Sequence, residues 1–98
     1  MQHLSLFPER RVYTVSELAS EARIILERQF LDVWVQGEIS NFRHPHSGHF
    51  YFTLKDRDAQ LKAVCFKTHN RALKFQVEDG LSVLVRGRVS LYEARGDF

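Results

Sequence analysis

The hydrophobic period of this chain changes from 3.6 residues to 2 at Val33, and this change constrains the fold more than any other feature. Apolar and polar residues alternate over residues 33–40, which predicts a strand. Turn formers at residues 43–48 separate it from a second alternating run, His49–Lys55, and a short acidic turn precedes a third, Gln60–Phe66. Three consecutive strands joined by short turns predict an antiparallel meander.

Two helices are predicted around the meander. Thr14 and Glu17 have the spacing of a capping box, so a helix should begin there. Its apolar stripe predicts core packing and consists of Val15, Leu18, Ala19, Ala22, Ile25, Leu26 and Phe30. After the third strand, Thr68 is placed to cap a short helix that continues to about Phe75.

A fourth strand is predicted over Leu81–Tyr92, where apolar residues again alternate with polar ones. Gly37 in the first strand and Gly87 in the fourth lie at mid-strand, where a long strand can bend sharply around a small barrel. Arg95-Gly96-Asp97 predicts a hairpin turn directly before the last residue.

The predicted fold class is mainly β: a five-stranded Greek-key barrel with an N-terminal helix and a short helix between strands 3 and 4. Its last strand is expected to be truncated or supplied by another chain, so the sequence is interpreted as a fragment. With 98 residues there is room for one core, and we expect an arm at 1–12 followed by one domain at 13–98. An open sheet edge favours a strand-exchanged or edge-paired homo-oligomer.

The positive charge is concentrated in the middle of the chain. Residues 39–75 hold seven basic and two acidic side chains, although the net charge is only +2. Such a stretch is typical of a polyanion site, but it also fits a solvated face. A lone cysteine, Cys65, and the lack of a signal-peptide pattern or a long apolar run lead us to expect a reducing, cytoplasmic setting without a membrane.

Four separate blocks, residues 13–18, 33–42, 47–56 and 91–98, closely resemble the amino-terminal domain of the large subunit of bacterial exodeoxyribonuclease VII. The resemblance runs from about residue 13 to the last residue. It implies an OB-fold that binds single-stranded DNA for a nuclease that degrades such DNA to oligonucleotides. It also implies a catalytic domain further along a longer chain and a small helical subunit as partner, so this fragment is expected to bind substrate without cleaving it.

By analogy with other OB-folds, nucleic acid is expected across the outer face of strands two and three and the nearby loops. The candidate contacts are Asn41, Phe42, Arg43, His49, Tyr51, Thr53, Lys55, Lys62, Phe66, Arg86, Arg88 and Tyr92. Single-strand binding needs this mixture, because bases stack on aromatic rings and cations follow the phosphates. The alternatives are that Tyr51 packs across strands, Phe42 plugs the barrel end, and the cations are solvated.

The sequence gives little indication of a metal site or of a reactive cysteine. His44, His46 and His49 lie close together, but no cysteine or carboxylate completes a zinc set, so we expect no metal and no cofactor. Cys65 lies on an apolar strand face and is interpreted as a small core residue. Two alternatives to DNA binding stay open: a protein-docking module, suggested by the outward Trp34, and an RNA-binding domain.

Overall fold

Residues 10–91, the part of the chain that the computed structural model describes, form two helices and four strands. The elements are α1 (Val15–Gln29), β1 (Val33–Arg43), β2 (Phe50–Lys55), β3 (Gln60–Cys65), α2 (Lys67–Asn70) and β4 (Ser82–Gly87). The strands form one antiparallel sheet in the order β3-β2-β1-β4. A meander whose fourth strand returns beside the first is the Greek-key arrangement. The predicted mainly β class is therefore confirmed.

The register of the sheet separates an inner face from an outer face. Ile39 lies opposite Leu54, which lies opposite Leu61, so these side chains share the inner face. Ile39 and Leu54 are only 3% and 6% exposed, and Val77, from the segment between α2 and β4, is buried with them. The faces of β1 and β2 that carry Ile39 and Leu54 are therefore the inner side of the sheet, while Leu61 on the edge strand β3 is 37% exposed.

The start of α1 is the predicted capping box. The Thr14 hydroxyl accepts a hydrogen bond from the Glu17 N–H at 3.1 Å, and the Glu17 carboxylate accepts one from the Thr14 N–H at 3.2 Å. Two backbone donors that a helix start leaves unpaired are thereby satisfied within α1 itself.

The predicted burial of the α1 stripe is wrong for Val15, Leu18, Ile25 and Phe30, which are exposed, Val15 by 87%. At its C-terminal end, α1 is joined by hydrogen bonds to the segment that follows β4. The Val89 N–H donates to the Phe30 carbonyl at 2.9 Å, and the Ser90 hydroxyl donates to Glu27 at 2.8 Å. Within residues 10–91 no element covers the first turns of α1, so an apolar stripe alone did not establish a buried face.

The predicted second helix is wrong beyond Asn70. The helix begins after Phe66, which makes no side-chain cap, so Thr68 lies inside the helix and does not cap it. The Asn70 side-chain amide donates to the Gly48 carbonyl at 2.8 Å and to the Cys65 carbonyl at 3.3 Å. A one-turn helix has little stability of its own, and these tertiary bonds hold it in place.

The strand bounds also differ from those predicted. β1 continues to Arg43, while β2 begins at Phe50 and β3 ends at Cys65. β4 ends at Gly87, so that glycine closes the strand and is not a mid-strand bend. Beyond it the Val89 N–H bonds to the C-cap of α1 and not to the sheet. Residues 1–9 of the predicted arm, Tyr92 and the predicted turn at residues 95–97 lie outside the described residues.

Candidate nucleic-acid interface

The outer face of β2 and β3 presents the side chains that the alternation predicts. Thr53 lies between Ser40 of β1 and Lys62 of β3, and Tyr51 lies opposite Val64. Directly opposed residues of an antiparallel pair point to the same side of the sheet. Tyr51, Thr53 and Lys62 therefore share one surface, on the side of the sheet away from Leu54.

A β-bulge at the end of β1 decides which side chains join this surface. Ser40 pairs with Thr53 and Arg43 pairs with Tyr51, so β1 has one residue more than β2 between these two pairs. Asn41 takes the left-handed conformation, with φ of 52°. Asparagine is among the few residues that adopt it readily. As a result Arg43 lies on the outer face and Phe42 on the inner one.

Three rings and one guanidinium form an aromatic cluster on the outer face: Phe66, His49, Tyr51 and Arg43. The His49 ring centroid is 5.3 Å from that of Phe66 and 6.3 Å from that of Tyr51, both edge to face. The Arg43 Cζ is 5.9 Å from the Tyr51 centroid, and Phe66 is 50% exposed. Beside the cluster is a shallow depression of about 450 Å³, lined by Arg43, His44, Pro45 and Tyr51. The cluster offers stacking surfaces and a cation within one small area.

A hydrogen bond accepted by its ring fixes His49 within this cluster. The Lys67 N–H donates to His49 Nδ1 at 3.1 Å, so in the neutral imidazole the proton is on Nε2. The Nε2–H is then the donor that the ring can offer to a ligand.

Phe42 contributes to the inner side of the sheet. Its ring meets Phe50 edge to face at 5.1 Å, and Phe50 in turn meets His44 at 4.7 Å. The three line a cavity of about 280 Å³ with residues of the segment after α2. This placement agrees with the alternative that Phe42 closes one end of the core.

The remaining predicted contacts differ in their surroundings. Lys55 Nζ lies 3.9 Å from a Glu38 carboxylate oxygen, a weak surface ion pair. Thr53 is half-buried between its neighbours, and Lys62 is exposed. Asn41 is exposed at the bulge.

Arg86 is separated from the aromatic cluster and is already paired. Its guanidinium donates two hydrogen bonds to Asp32, at 2.8 and 2.7 Å, and lies 5.5 Å from the Trp34 centroid. The hydrogen bonds raise the pKa of Arg86 and lower the pKa of Asp32. Trp34, opposite Arg86, is six residues from Ser40 along β1, or about 20 Å. Arg88 is exposed and near Glu27, and Tyr92 lies outside the described residues.

Cys65 and the acidic turn at Asp56, which were considered for other chemistry, have structural roles. Cys65 lies on the inner face opposite Phe50, and burial raises the pKa of its thiol. The Asp56 carboxylate accepts from the N–H groups of Asp58 and Ala59, as a turn requires. Across residues 10–91 no three His, Cys, Asp or Glu side chains come together as a metal site. Over the same range, neither helix has the length and apolar character needed to span a bilayer.

Two supporting residues were not found from the sequence. Asp79 accepts a hydrogen bond from the Phe42 N–H at 2.8 Å, and Asn70 holds the loop before β2 through Gly48. The only available signal was that Asp and Asn near turns often bond to backbone. Neither the partner nor the distance along the chain could be predicted from that rule.

Comparison with known proteins gives a matching family and several similar proteins. Residues 13–98 match the family described as OB-fold nucleic acid binding domain. The exodeoxyribonuclease 7 large subunit of Geobacter metallireducens is 54% identical over 95 residues, which cover 97% of this chain and 21% of that protein. The same-named protein of Vibrio cholerae is 52% identical over 94 residues, covering 96% of this chain and 21% of that protein.

The chain thus spans about a fifth of the length of these relatives. The four blocks that suggested the resemblance lie within the matched region, and the Greek-key sheet has the strand order that the fold requires. This chain belongs to the family of OB-fold nucleic acid binding domains and is homologous to a part of exodeoxyribonuclease 7 large subunits.

Proposed function

We propose that this chain binds single-stranded DNA across the outer face of β2 and β3 as the substrate-holding part of an exodeoxyribonuclease large subunit. The observation that carries the proposal is the aromatic cluster, in which the rings of Phe66, His49 and Tyr51 contact one another in turn and the Arg43 guanidinium lies over Tyr51. Rings stack on any base and cations follow the phosphates, so this combination suits single strands of mixed sequence. Lys62, Thr53 and Lys55 extend the same surface along the strands.

The work of the enzyme is divided between this chain and the rest of a longer subunit. The relatives are named exodeoxyribonucleases, and this chain corresponds to 21% of their length. We therefore place strand cleavage, and assembly with the small subunit, in the regions that this chain does not include, and we place the whole protein in the cytoplasm. Incubating the chain with end-labelled single-stranded DNA and Mg²⁺ should leave the DNA at full length; progressive shortening would show that the chain itself cleaves.

Binding is tested by titrating fluorescently labelled oligonucleotides of mixed sequence at several salt concentrations. Three or four neutralised phosphates give a log–log salt slope of about −2 to −3 for a single strand. Tyr51→Ala should weaken binding by roughly 5- to 150-fold, because base stacking contributes about 1–3 kcal/mol per base. Tyr51→Phe keeps the ring and should bind almost as the parent chain does.

Lys62→Ala should reduce the salt slope by about 0.7, the value for one phosphate on a single strand. Lys74→Ala is the matched control, since Lys74 is an exposed lysine in the segment between α2 and β4. A folded chain that binds no oligonucleotide at low salt contradicts the proposal, as does full affinity in both Tyr51→Ala and Lys62→Ala. Parallel titrations with RNA and DNA oligonucleotides of the same sequence show whether 2′-hydroxyls are recognised.

Docking onto protein is a second candidate function, favoured by a separate surface on β1 and β4. Trp34 and Leu84 are 63% and 64% exposed on the outer face, on neighbouring strands. Tryptophan is over-represented at the energetic centres of protein interfaces. If docking onto the remainder of a large subunit is the main function, Trp34→Ala abolishes co-elution with that remainder and Tyr51→Ala does not. If DNA binding is the main function, only Tyr51→Ala lowers DNA affinity.

We further propose that this chain associates with itself through its sheet edges. β3 and β4 are the edge strands of the described sheet, and edge strands offer unpaired backbone groups to another chain. Val64 on β3 is 43% exposed, which adds apolar surface. Light scattering over a concentration series should show a dimer or larger species, whereas a monomer at every concentration rejects edge pairing.

A further inference from the structure

The bulge at Asn41 does more than end β1, because it assigns Phe42 and Arg43 to their faces. If β1 and β2 kept the register of Ser40 and Thr53, residue 42 would lie opposite Tyr51 on the outer face and residue 43 would lie on the inner face. The extra residue reverses this assignment. The guanidinium is thereby brought over Tyr51, and the Phe42 ring is brought onto Phe50.

The bulged form is held by the turn before β4. The Phe42 N–H, which has lost its regular place in the β1–β2 ladder, donates to Asp79 Oδ1 at 2.8 Å. Nearby, the Gly80 N–H donates to the Ile39 carbonyl at 2.8 Å, and the Ile39 N–H donates to the Leu81 carbonyl at 2.9 Å. We call these three bonds the Asp79 clamp.

The clamp depends on a backbone conformation at Gly80 that other residues rarely adopt. Gly80 has a φ of +88°, which glycine reaches without steric cost. This conformation lets the turn run beside β1 from Ile39 to Phe42, so that the Asp79 carboxylate meets the bulge.

We infer that Asp79 is a positioning residue for nucleic-acid binding: by holding the Asn41 bulge, it keeps Arg43 on the outer face beside Tyr51. The inference rests on the proposed function of the outer face. Asp79 itself contacts no ligand in this scheme, and its negative charge would by itself repel phosphates. Asp79 therefore favours DNA binding through the backbone of Phe42, whereas its direct electrostatic effect opposes DNA binding.

This opposition of signs makes the inference testable with a pair of substitutions. Asp79→Asn removes the charge but keeps an oxygen that accepts from the Phe42 N–H, so it should bind single-stranded DNA as tightly as the parent chain or more tightly. Asp79→Ala removes both, and losing one hydrogen bond should weaken binding about two- to tenfold. If charge were the only role of Asp79, both variants would bind more tightly by similar factors.

The salt slope identifies the contact that is lost. Arg43→Ala should lower the slope by about 0.7 for one phosphate, and Asp79→Ala should lower it in the same direction by no more than this amount. In the double variant Arg43→Ala/Asp79→Ala the second change should cost nothing further. Equal affinities for Asp79→Ala and Asp79→Asn, or additive losses in the double variant, overturn the inference.

Two measurements on Asn41 and Phe42 guard against a general loss of folding. Asn41→Val disfavours the left-handed conformation and should lower both affinity and salt slope as Asp79→Ala does, whereas Asn41→Gly favours that conformation, so it should lose at most the contact of the neutral amide and keep the parent slope. Hydrogen exchange of the Phe42 amide should be faster in Asp79→Ala than in Asp79→Asn, while that of Leu54 is unchanged. If no variant and no parent chain binds DNA, the proposed function fails; if binding is normal but Asp79→Ala changes neither affinity nor slope, only this inference fails.

Discussion

Gly37→Ala is expected to destabilise the sheet, although alanine normally suits a strand better than glycine. An added Cβ would be 2.9 Å from Leu54 Cγ, 3.0 Å from Leu54 Cδ1 and 3.0 Å from the Lys55 carbonyl oxygen. Leu54 is only 6% exposed and has little room to withdraw. The carbonyl is part of the backbone of β2 and cannot move without distorting the strand.

The magnitude follows from two opposing contributions. Overpacking a site of this kind costs about 1–3 kcal/mol, while replacing glycine returns about 0.5–1 kcal/mol by restricting the unfolded chain. At the middle of both ranges the free energy of unfolding should therefore fall by about 1 kcal/mol, and at the largest overpacking cost by about 2.5 kcal/mol. For a domain of this size these losses correspond to a melting midpoint lower by about 4–20 °C.

Gly87→Ala is the matched control, because an added Cβ there has no atom within 4 Å. Neither Gly37 nor Gly87 has a left-handed φ, so the two sites differ in their neighbours and not in a required glycine conformation. Gly87→Ala should be neutral or stabilising by up to about 1 kcal/mol. Urea unfolding followed by Trp34 fluorescence measures both variants, with the m-value as a check on two-state behaviour. Equal effects of the two substitutions would refute the argument from the close approach of β1 and β2.

Three further changes have defined outcomes. Thr14→Ala removes the cap of α1 and should cost about 1 kcal/mol, seen as faster hydrogen exchange in the first turns of α1, and Thr14→Ser should restore protection. The N–H groups of Asp58 and Ala59 lower the pKa of Asp56, so this carboxylate stabilises the fold above about pH 4 and that contribution is lost as the pH falls through the lowered value. Asp56→Asn should therefore lose less stability than the parent chain between pH 6 and pH 3 in urea titrations, and equal losses would exclude this role. Burial raises the pKa of the Cys65 thiol, so at pH 8 it should react with a thiol reagent more slowly than the urea-unfolded chain, and equal rates would contradict its burial.

Features set by neighbours in sequence were predictable, and features set by distant partners were not. The capping box of Thr14 and Glu17 joins groups three residues apart, and the alternation over β2 follows from strand geometry, so both predictions were confirmed. The burial of the α1 stripe depended on what covers the helix, which periodicity does not specify. The prediction of a helix to Phe75 could not take account of the Asn70 amide bonding to Gly48.

The candidate site shows the same division. Alternation placed Tyr51 and Lys62 on one surface, as the register confirms. The faces of Phe42 and Arg43 depend on one extra residue in β1, and a pattern of period 2 contains no signal for it. Asp79 lies 37 residues from Phe42 along the chain, so its role could be found only after the fold had brought them together.

The length of β1 has a consequence for how many ligands this small protein can hold. Arg43 and Trp34 lie on the outer side near opposite ends of this one strand, about 30 Å apart along the backbone. β1 pairs with β4 from Val33 to Glu38 and with β2 from Glu38 to Arg43, so its two ends belong to different strand pairs that meet at Glu38. An oligonucleotide at the Arg43 end and a protein at the Trp34 end would therefore contact different strand pairs of one sheet.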